Sequence, residues 1–384
     1  MTKKIRVGVL FGGKSAEHEI SLLSARSIVN AMDKNKYDVT LIGIQKSGEW
    51  FLHDNIERCL KNADNPKLIS LHEAKESVAL VPKEIGNPLV NLSSGRGLEA
   101  PCDVIFPILH GTYGEDGTVQ GLLKLANVPF VGAGVLGSAV AMDKDVMKRL
   151  LRDSNLPIGK FITVPAAMAD RLDFNEVKQQ LGLPLFIKPA NLGSSVGISK
   201  VKNEAEFYEK VAFAFQFDRK ILIEEFVPGR EIECSVLGNE DPIVSLPGEI
   251  IPHHEFYSYE AKYLDQNGAR LEIPARVTKQ EVLQIQALAL KAYQTLCCEG
   301  MARVDMFLQE NGSIFINEIN TIPGFTKISM YPKMWEASGL SYPDLIDRLI
   351  QLALDRFEKE QRLKTNMEWV TVTDQEKRVK QVII

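Results

Sequence analysis

The residues most able to do chemistry together lie near the C-terminal end, where the runs Ala302–Leu308 and Ile314–Ile319 flank Asn311-Gly312. Asn-Gly is the favoured dipeptide of a two-residue hairpin turn. With that turn Glu310 faces Ser313, Asp305 lies opposite Glu318, and Arg303 lies opposite Asn320. Strand side chains alternate with period two, so these four residues share one face. Two carboxylates directly opposite, with Cβ atoms about 5 Å apart, repel each other. A bridging cation removes that repulsion. Two carboxylates and an amide oxygen are hard donors that suit Mg²⁺, an ion that also binds substrate phosphates. Arg303 alongside would meet anionic oxygens. The plainer alternative is an exposed hairpin face on which Arg303 pairs with the acids.

A second signal is Phe186-Ile-Lys188-Pro189-Ala-Asn-Leu-Gly193-Ser194-Ser195-Val-Gly197, a strand running into a Gly/Ser loop. Small residues let backbone N–H groups approach phosphate oxygens, and Lys188 supplies positive charge. A flexible hairpin without function fits the same letters, but beside a magnesium hairpin the loop points to ATP. A third stretch, Gly8-x-x-x-x-Gly13-Lys14-Ser15, satisfies the phosphate-loop pattern. Its interior, Val9, Leu10 and Phe11, belongs in a buried strand, so a tight strand-to-helix turn is preferred. Glu17 at the following helix start is either a ligand for an amine or simple compensation of the helix dipole.

The elements that must position these groups follow from periodicity. Ile5–Phe11 reads as a buried strand, Ile20–Met32 as a helix and Val39–Ile44 as a second strand, a βαβ unit that implies a parallel sheet. Asn55–Glu99 is polar and poorly periodic, a region of loops with a small excursion. Val104–Leu109 is another buried strand, ending at His110-Gly111, and Val119–Ala126 a helix. This makes an α/β doubly wound N-terminal domain whose ligands sit at strand carboxyl ends. From Asp143, a helix cap, the texture changes. Short strands Phe186–Lys188, Gly197–Val201, Lys220–Glu225 and Glu231–Leu237 suggest antiparallel pairs of an α+β domain, and Tyr342–Phe357 a C-terminal helix. Thr365–Ile384 reads as an edge strand or an unordered tail.

The chain has 384 residues, enough for two or three domains. Acidic residues number 50 against 45 basic ones, so a chain-wide basic footprint for nucleic acid is missing. Five cysteines without a C-x-x-C pair argue against a disulfide framework or a zinc ribbon. The vicinal Cys297-Cys298 reads as core packing. The longest uncharged stretch, Val128–Met142, is interrupted by Pro129 and falls short of the ~18–20 residues of a spanning helix. No signal peptide is read at the start, so a cytoplasmic, soluble protein is expected.

Seven motifs in order carry a family resemblance: Phe11-Gly-Gly-Lys-Ser-Ala-Glu17-His-Glu, Leu109-His110-Gly, Gly114-Glu-Asp-Gly117, Met142-Asp-Lys144, Lys188-Pro with Gly193-Ser-Ser, Tyr259-Glu-Ala-Lys262-Tyr263, and Asn317-Glu318-Ile-Asn320-Thr-Ile-Pro-Gly324. From about Arg6 to about Leu354 the chain resembles the ATP-grasp superfamily, and within it the D-alanine–D-alanine ligases of peptidoglycan precursor synthesis. The resemblance implies an N-terminal α/β domain over 1–134 and an α+β ATP-grasp fold of two lobes with ATP between them. These are a small lobe with the phosphate-closing loop over 135–228 and a C-terminal lobe with lid and Mg site over 229–364. The tail 365–384 departs from the family's usual end.

The resemblance also implies roles. ATP phosphorylates the first D-alanine's carboxylate, and the amine of the second attacks the acyl phosphate. Asp305, Glu318 and Asn320 would hold two Mg²⁺ (or Mn²⁺), with Glu318 bridging. Lys144 and Lys188 would contact the α- and β-phosphates and Lys262 the γ-phosphate, with Ser195 in the closing loop. Glu224, Glu225 and Val227 match the adenine edge and Glu231 the ribose hydroxyls. Glu17, helped by His110, matches the partner of the first alanine's ammonium. Arg303 and Gly324 match the oxyanion site, and Ser329 and Met330 the second alanine's carboxylate. Ser194 and Tyr263 would link loop, lid and Glu17. The family is commonly dimeric, so a homodimer without nucleic-acid or membrane partners is expected. A D-alanine–D-lactate ligase is the alternative, disfavoured by Tyr263. A nucleotide-binding regulator without catalysis is the reading from another class.

Overall fold

The computed structural model describes residues 3–63, 65, 68–72, 74, 76–82, 89–97, 102–252, 268–326 and 328–364. The expected lid residues Lys262 and Tyr263, and the tail 365–384, lie outside them. β1 (Ile5–Gly12) is buried from Val7 onward because it has a parallel neighbour on each side. α1 (His18–Ala31) returns the chain, and β2 (Tyr37–Ile44) pairs parallel to β1. β3 (Trp50–His53) then adds antiparallel to β2, so the sheet expected to be parallel is mixed at this edge. The polar stretch that follows holds α2 (Ile56–Cys59) and two small sheets. These pair β4 (Leu60–Lys61) with β5 (Ser70–Leu71), and β6 (Val78–Leu80) with β7 (Leu89–Asn91).

β8 (Val104–Ile108) pairs parallel on the other side of β1, giving the order β3-β2-β1-β8. The chain runs outward from β1 through β2 and β3 on one side and returns to place β8 on the other, so the switch point and its crevice lie at the carboxyl ends of β1 and β8. Gly12-Gly13 and His110-Gly111 stand at those two ends. Gly8 is inside the sheet, where an added Cβ would meet Ile105 Cδ1 at 2.6 Å and Cys102 Sγ at 2.8 Å. It opens no phosphate loop.

After α3 (Thr118–Leu125) and α4 (Val135–Met142), α5 (Lys144–Asp153) starts at Asp143, whose carboxylate accepts from the N–H groups of Asp145 and Val146. β9 (Phe161–Pro165), α6 (Phe174–Leu181), β10 (Leu185–Pro189), β11 (Ser199–Val201), α7 (Glu204–Ala214) and β12 (Lys220–Glu225) build an antiparallel sheet of order β11-β10-β12-β9. One face buries Leu185, Ile187, Ile221 and Ile223 against α6 and α7. The other faces α5.

β13 (Arg230–Gly238), β14 (Ile243–Val244), β15 (Gly248–Pro252) and β16 (Ala269–Glu272) precede α8 (Lys279–Thr295), which begins in a capping box of Thr278 and Glu281. β17 (Gly300–Leu308) and β18 (Ile314–Asn320) complete a sheet of order β16-β15-β13-β17-β18, with β14 on β13. α9 (Met330–Ala337) and α10 (Tyr342–Gln361) then cross back. Tyr331, Trp335, Ile346, Leu349 and Ile350 share one core with Val7, Val9, Phe11 and Phe106 of the N-terminal sheet. Buried Arg356 donates to the carbonyls of Gly132 at 2.7 Å and Phe130 at 2.8 Å, and lies 3.3 Å from Glu299. The first sheet and the last lobe are thus packed as one body.

Replacing Arg356 leaves two buried carbonyls without their donor. Arg356→Ala should lose about 2–4 kcal/mol in urea unfolding, and a loss under about 1 kcal/mol would contradict this role.

Candidate functional site

The β17–β18 hairpin places Asp305 opposite Glu318 and Arg303 opposite Asn320, as expected, but by a different route. The turn is not the two residues Asn311-Gly312. Gln309 N–H donates to Ser313 O and Gly312 N–H to Gln309 O, closing a three-residue loop with Gly312 at φ +82°. That loop shifts the pairing by one residue, so Met306 faces Ile316. An extra residue, Asn317, then bulges out of β18 and restores Asp305 to Glu318. The bulge also turns Asn317 to account, since its Oδ1 accepts from Lys188 Nζ at 3.3 Å.

The acids are held apart by cations. Arg303 grips Asp305 with Nε at 2.7 Å and Nη2 at 2.6 Å, and its Nε stands 3.0 Å from Glu233 on β13. Asn320 Nδ2 donates to Asp305 at 3.0 Å. Lys144, the first residue of α5, reaches Leu192 O at 2.7 Å and lies 3.7 Å from Glu318. Lys188 on β10 donates to Glu224 at 2.9 Å. Its burial alone would disfavour the ammonium, but Glu224 and Glu318 overcome this and hold its pKa above the ordinary lysine value. Asp305, Glu318 and Asn320 therefore offer hard oxygen donors near Lys188 of β10 and the loop that follows that strand.

That loop spans the gap to the N-terminal domain. Ser194 Oγ donates to Glu17 Oε1, and a Cβ at Gly193 would stand 3.2 Å from Glu17 Oε2. Ser194 and Ser195 take φ of +52° and +60°, backbone that L-residues adopt only under constraint. Glu17 occupies the N-cap position of α1 without capping it. Its side chain turns inward and is buried.

His110 is buried and both ring nitrogens are engaged: Nδ1 donates to Ile322 O at 2.9 Å, and Nε2 accepts from Ser24 Oγ at 3.0 Å. Burial draws its pKa down to about 4, with Arg303 adding to the effect, so the ring is neutral. It pins the Ile322–Phe325 segment, which Ser24 also holds by accepting from Phe325 N–H. Gly324 lies in that segment. Thr326 and Ser329 hydrogen-bond each other, and Ser329 starts α9. Met330 buries its side chain with Ile250 and Met334, so a ligand would meet its backbone at the helix N-terminus.

Glu224 is buried on β12. Glu225 Oε1 accepts from Lys160 N–H at 2.7 Å, and Val227 lies beside Gly159. Glu231 is on β13 facing Phe307 of β17.

Three participants carry no role in the sequence reading. Glu115 accepts from Gly111 N–H at 2.6 Å and Ile322 N–H at 3.2 Å, joining the two loops; burial, then the charge of Glu17, push it up to about 8. Glu233 backs Arg303, and a lone acid in a strand gives no sign of that. Lys148 lies 3.4 Å from Glu224. Its signal was legible: Lys144 and Lys148 are like charges four apart on one helix face, which repel unless anions face them.

With this geometry in place, comparison with known proteins is informative. A family model described as D-ala D-ala ligase N-terminus matches residues 6–133, and one described as D-ala D-ala ligase C-terminus matches residues 150–351. The D-alanine–D-alanine ligase of Oceanobacillus iheyensis is 55% identical over 363 residues, 94% of this chain and 99% of its own. The D-alanine–D-alanine ligase A of Salmonella typhimurium is 55% identical over 95% of this chain and all of its own length. Among solved structures, the Coxiella burnetii D-alanine-D-alanine ligase superposes with TM-score 0.80 at 40% identity, covering 94% of this chain and 98% of that one. The VanG D-Ala:D-Ser ligase of Enterococcus faecalis also gives 0.80, at 35% identity over 91% of this chain and all of that one.

His110 couples the site to stability. The unfolded ring takes a proton near pH 6.5 and the folded one only near about pH 4, so between them the unfolded state binds more protons. Stability should be fully present above about pH 6.5 and fall by about 3 kcal/mol as pH drops through this window. In urea titrations His110→Gln should show a correspondingly shallower fall. Parallel curves for the two proteins would contradict the assignment.

Proposed function

The chain belongs to the D-alanine–D-alanine ligase family and is an ATP-dependent ligase that joins two D-alanines, and we propose that it does so at the three-way junction of Glu17, the Gly193–Ser195 loop and the β17–β18 hairpin. One linkage carries this placement. Ser194 reaches Glu17 while Lys144 ties the start of the same loop, at Leu192 O, to Glu318. The ATP-grasp arrangement belongs to the proposal. β1–β8 lie before residue 134, β9–β12 within 135–228 and β13–β18 after 229, in keeping with the proposed divisions.

A carboxylate cannot expel oxide at neutral pH, so it must first carry a better leaving group. A carboxylate oxygen of the first D-alanine attacks the γ-phosphorus, the bond to the β-phosphate oxygen breaks, and ADP leaves. Transfer of this kind needs mostly positioning and charge neutralisation. Lys144 and Lys188 would hold the α- and β-phosphates, with Ser195 in the loop and Lys262 at the γ-phosphate. Asp305, Glu318 and Asn320 would hold two Mg²⁺ or Mn²⁺, which when bound draw charge from the phosphate oxygens. Glu224, Glu225 and Val227 would meet adenine and Glu231 the ribose.

Glu17 would take the first alanine's ammonium. Its charge near Glu17 would offset the part of Glu115's raised pKa that comes from Glu17, the larger part coming from burial. The second amine then attacks the acyl carbon. Arg303 and the backbone near Gly324 would stabilise the oxyanion, while Ser329 and the Met330 N–H would hold the second carboxylate. Phosphate departs with the transferred oxygen, the nitrogen loses its proton to solvent, and the dipeptide remains. Ser194, Tyr263 and Glu17 would keep water from the acyl phosphate. His110 enters by fixing the Ile322–Phe325 segment. A cytoplasmic homodimer is carried on the family's account. No helix among the described residues is long and apolar enough to cross a membrane.

The curated relatives weigh against the D-lactate alternative. ADP release with Mg²⁺, ATP and D-alanine should yield the dipeptide, with L-alanine inactive and D-lactate unnecessary. Lys188→Ala and Glu318→Gln should each lower kcat/KM at least about a hundredfold. Turnover that requires D-lactate, or variants of unchanged activity, would refute the proposal.

A further inference from the structure

Lys148 is a lysine only 2% exposed. It projects from α5 one turn after Lys144 and ends 3.4 Å from Glu224 Oε1 and 6.0 Å from the Phe161 ring centre. Glu224 is itself only 6% exposed. Its two oxygens are treated differently: Oε2 accepts from Lys188 at 2.9 Å, while buried Oε1 has Lys148 Nζ at 3.4 Å and no closer donor among the described residues. A carboxylate oxygen can accept more than one hydrogen bond, so Oε1 keeps capacity for a ligand donor beside Lys148.

Lys188 cannot serve two masters. If it turns to phosphate, Glu224 loses its nearer cation and must survive, buried, on what remains. A buried carboxylate without a counter-charge takes a proton. A protonated carboxyl can donate and would accept a 6-oxo purine as readily as a 6-amino one. An ionised carboxylate only accepts, so it bonds a 6-amino group and repels a 6-oxo group.

We infer that Lys148 is a positioning residue for nucleotide choice: it is the standing counter-charge that keeps Glu224 an acceptor-only carboxylate, so that the site takes 6-amino over 6-oxo purine triphosphates. This rests on the adenine role proposed above for Glu224. The groups facing Glu224 agree with it. Lys144 and Lys148 approach from α5 and Lys188 from β10, with Phe161 on β9; β18 contributes Asn317 and Glu318 around the lysines. Burial would raise Glu224, but Lys148 and then Lys188 outweigh it and hold the carboxyl below its ordinary value.

The test compares ATP with inosine triphosphate, which differs at the 6-position, in the full-length enzyme with D-alanine. Lys148→Met should lower the ATP-over-inosine ratio of kcat/KM about tenfold or more, through KM for ATP with KM for D-alanine unchanged. Lys148→Arg should restore most of the ratio. A wild-type ratio in a folded Lys148→Met protein, or equal loss with both nucleotides, would overturn the inference. Glu224→Gln separates the two layers: if it keeps the preference, the adenine role itself fails, whereas if only Lys148→Met keeps it, Lys148 alone is ruled out. Should Lys148→Met not fold, the wild-type ratio decides. It should stay level from about pH 8 to about pH 6, and a ratio that falls with pH would show a carboxyl that is not held ionised.

Discussion

Asp305 and Glu318 are register partners in adjacent strands, and like charges so placed destabilise a sheet. Much of the surrounding structure answers that repulsion. Arg303 and Asn320 hold Asp305 from the same hairpin, Lys144 comes from the start of α5 toward Glu318, and Lys188 comes from a different sheet. Each of these cations is already matched by an anion. A polyphosphate brought to this face must therefore arrive with positive charge of its own, and the paired acids are the groups suited to receive it. The paired carboxylates thus suit the proposed site to a metal-bound nucleotide rather than to a bare one.

Closure depends on the same economy of charge. The Gly193–Ser195 loop adopts left-handed backbone at two serines, which costs about 1–2 kcal/mol each unless the surroundings enforce it. Ser194 recovers part of this by donating to Glu17, and Lys144 anchors the loop's start through Leu192 O. Glu17 in turn is placed by the strand-to-helix turn after β1, and Glu115 and His110 tie the turn after β8 to the segment beyond β18. Three sheets are coupled at one point. Because α9 and α10 pack the N-terminal sheet onto the last lobe, the β9–β12 sheet is the piece with separate packing, its core built on its own helices.

Much of this was legible in the sequence because the strongest signals are local. Buried strands, glycine turns and the Asp143 cap are set by neighbours in the chain. The hairpin register is instructive: the expected pairing of Asp305 with Glu318 is found, yet a three-residue loop and the Asn317 bulge produce it, two one-residue shifts that cancel. Periodicity cannot see a bulge. β3 escaped notice because it is only four residues long and its Trp50-Phe51-Leu52 run does not alternate. Glu115 and Glu233 escaped because their meaning lies in partners far along the chain on other elements, whereas Lys148 had a legible sign in its spacing from Lys144 that the reading did not use. The family resemblance supplied roles where spacing could not, and Tyr263 and Lys262 rest on it alone.

Ligation through an acyl phosphate turns a carboxylate oxygen of the first D-alanine into a phosphate oxygen. The most direct measurement follows D-alanine labelled with oxygen-18 in its carboxyl group through one round of synthesis, with mass spectrometry of the inorganic phosphate. One labelled oxygen is expected in each phosphate released, carried there by the acyl phosphate. Unlabelled phosphate, with the dipeptide still formed, would show that the carboxylate was never phosphorylated.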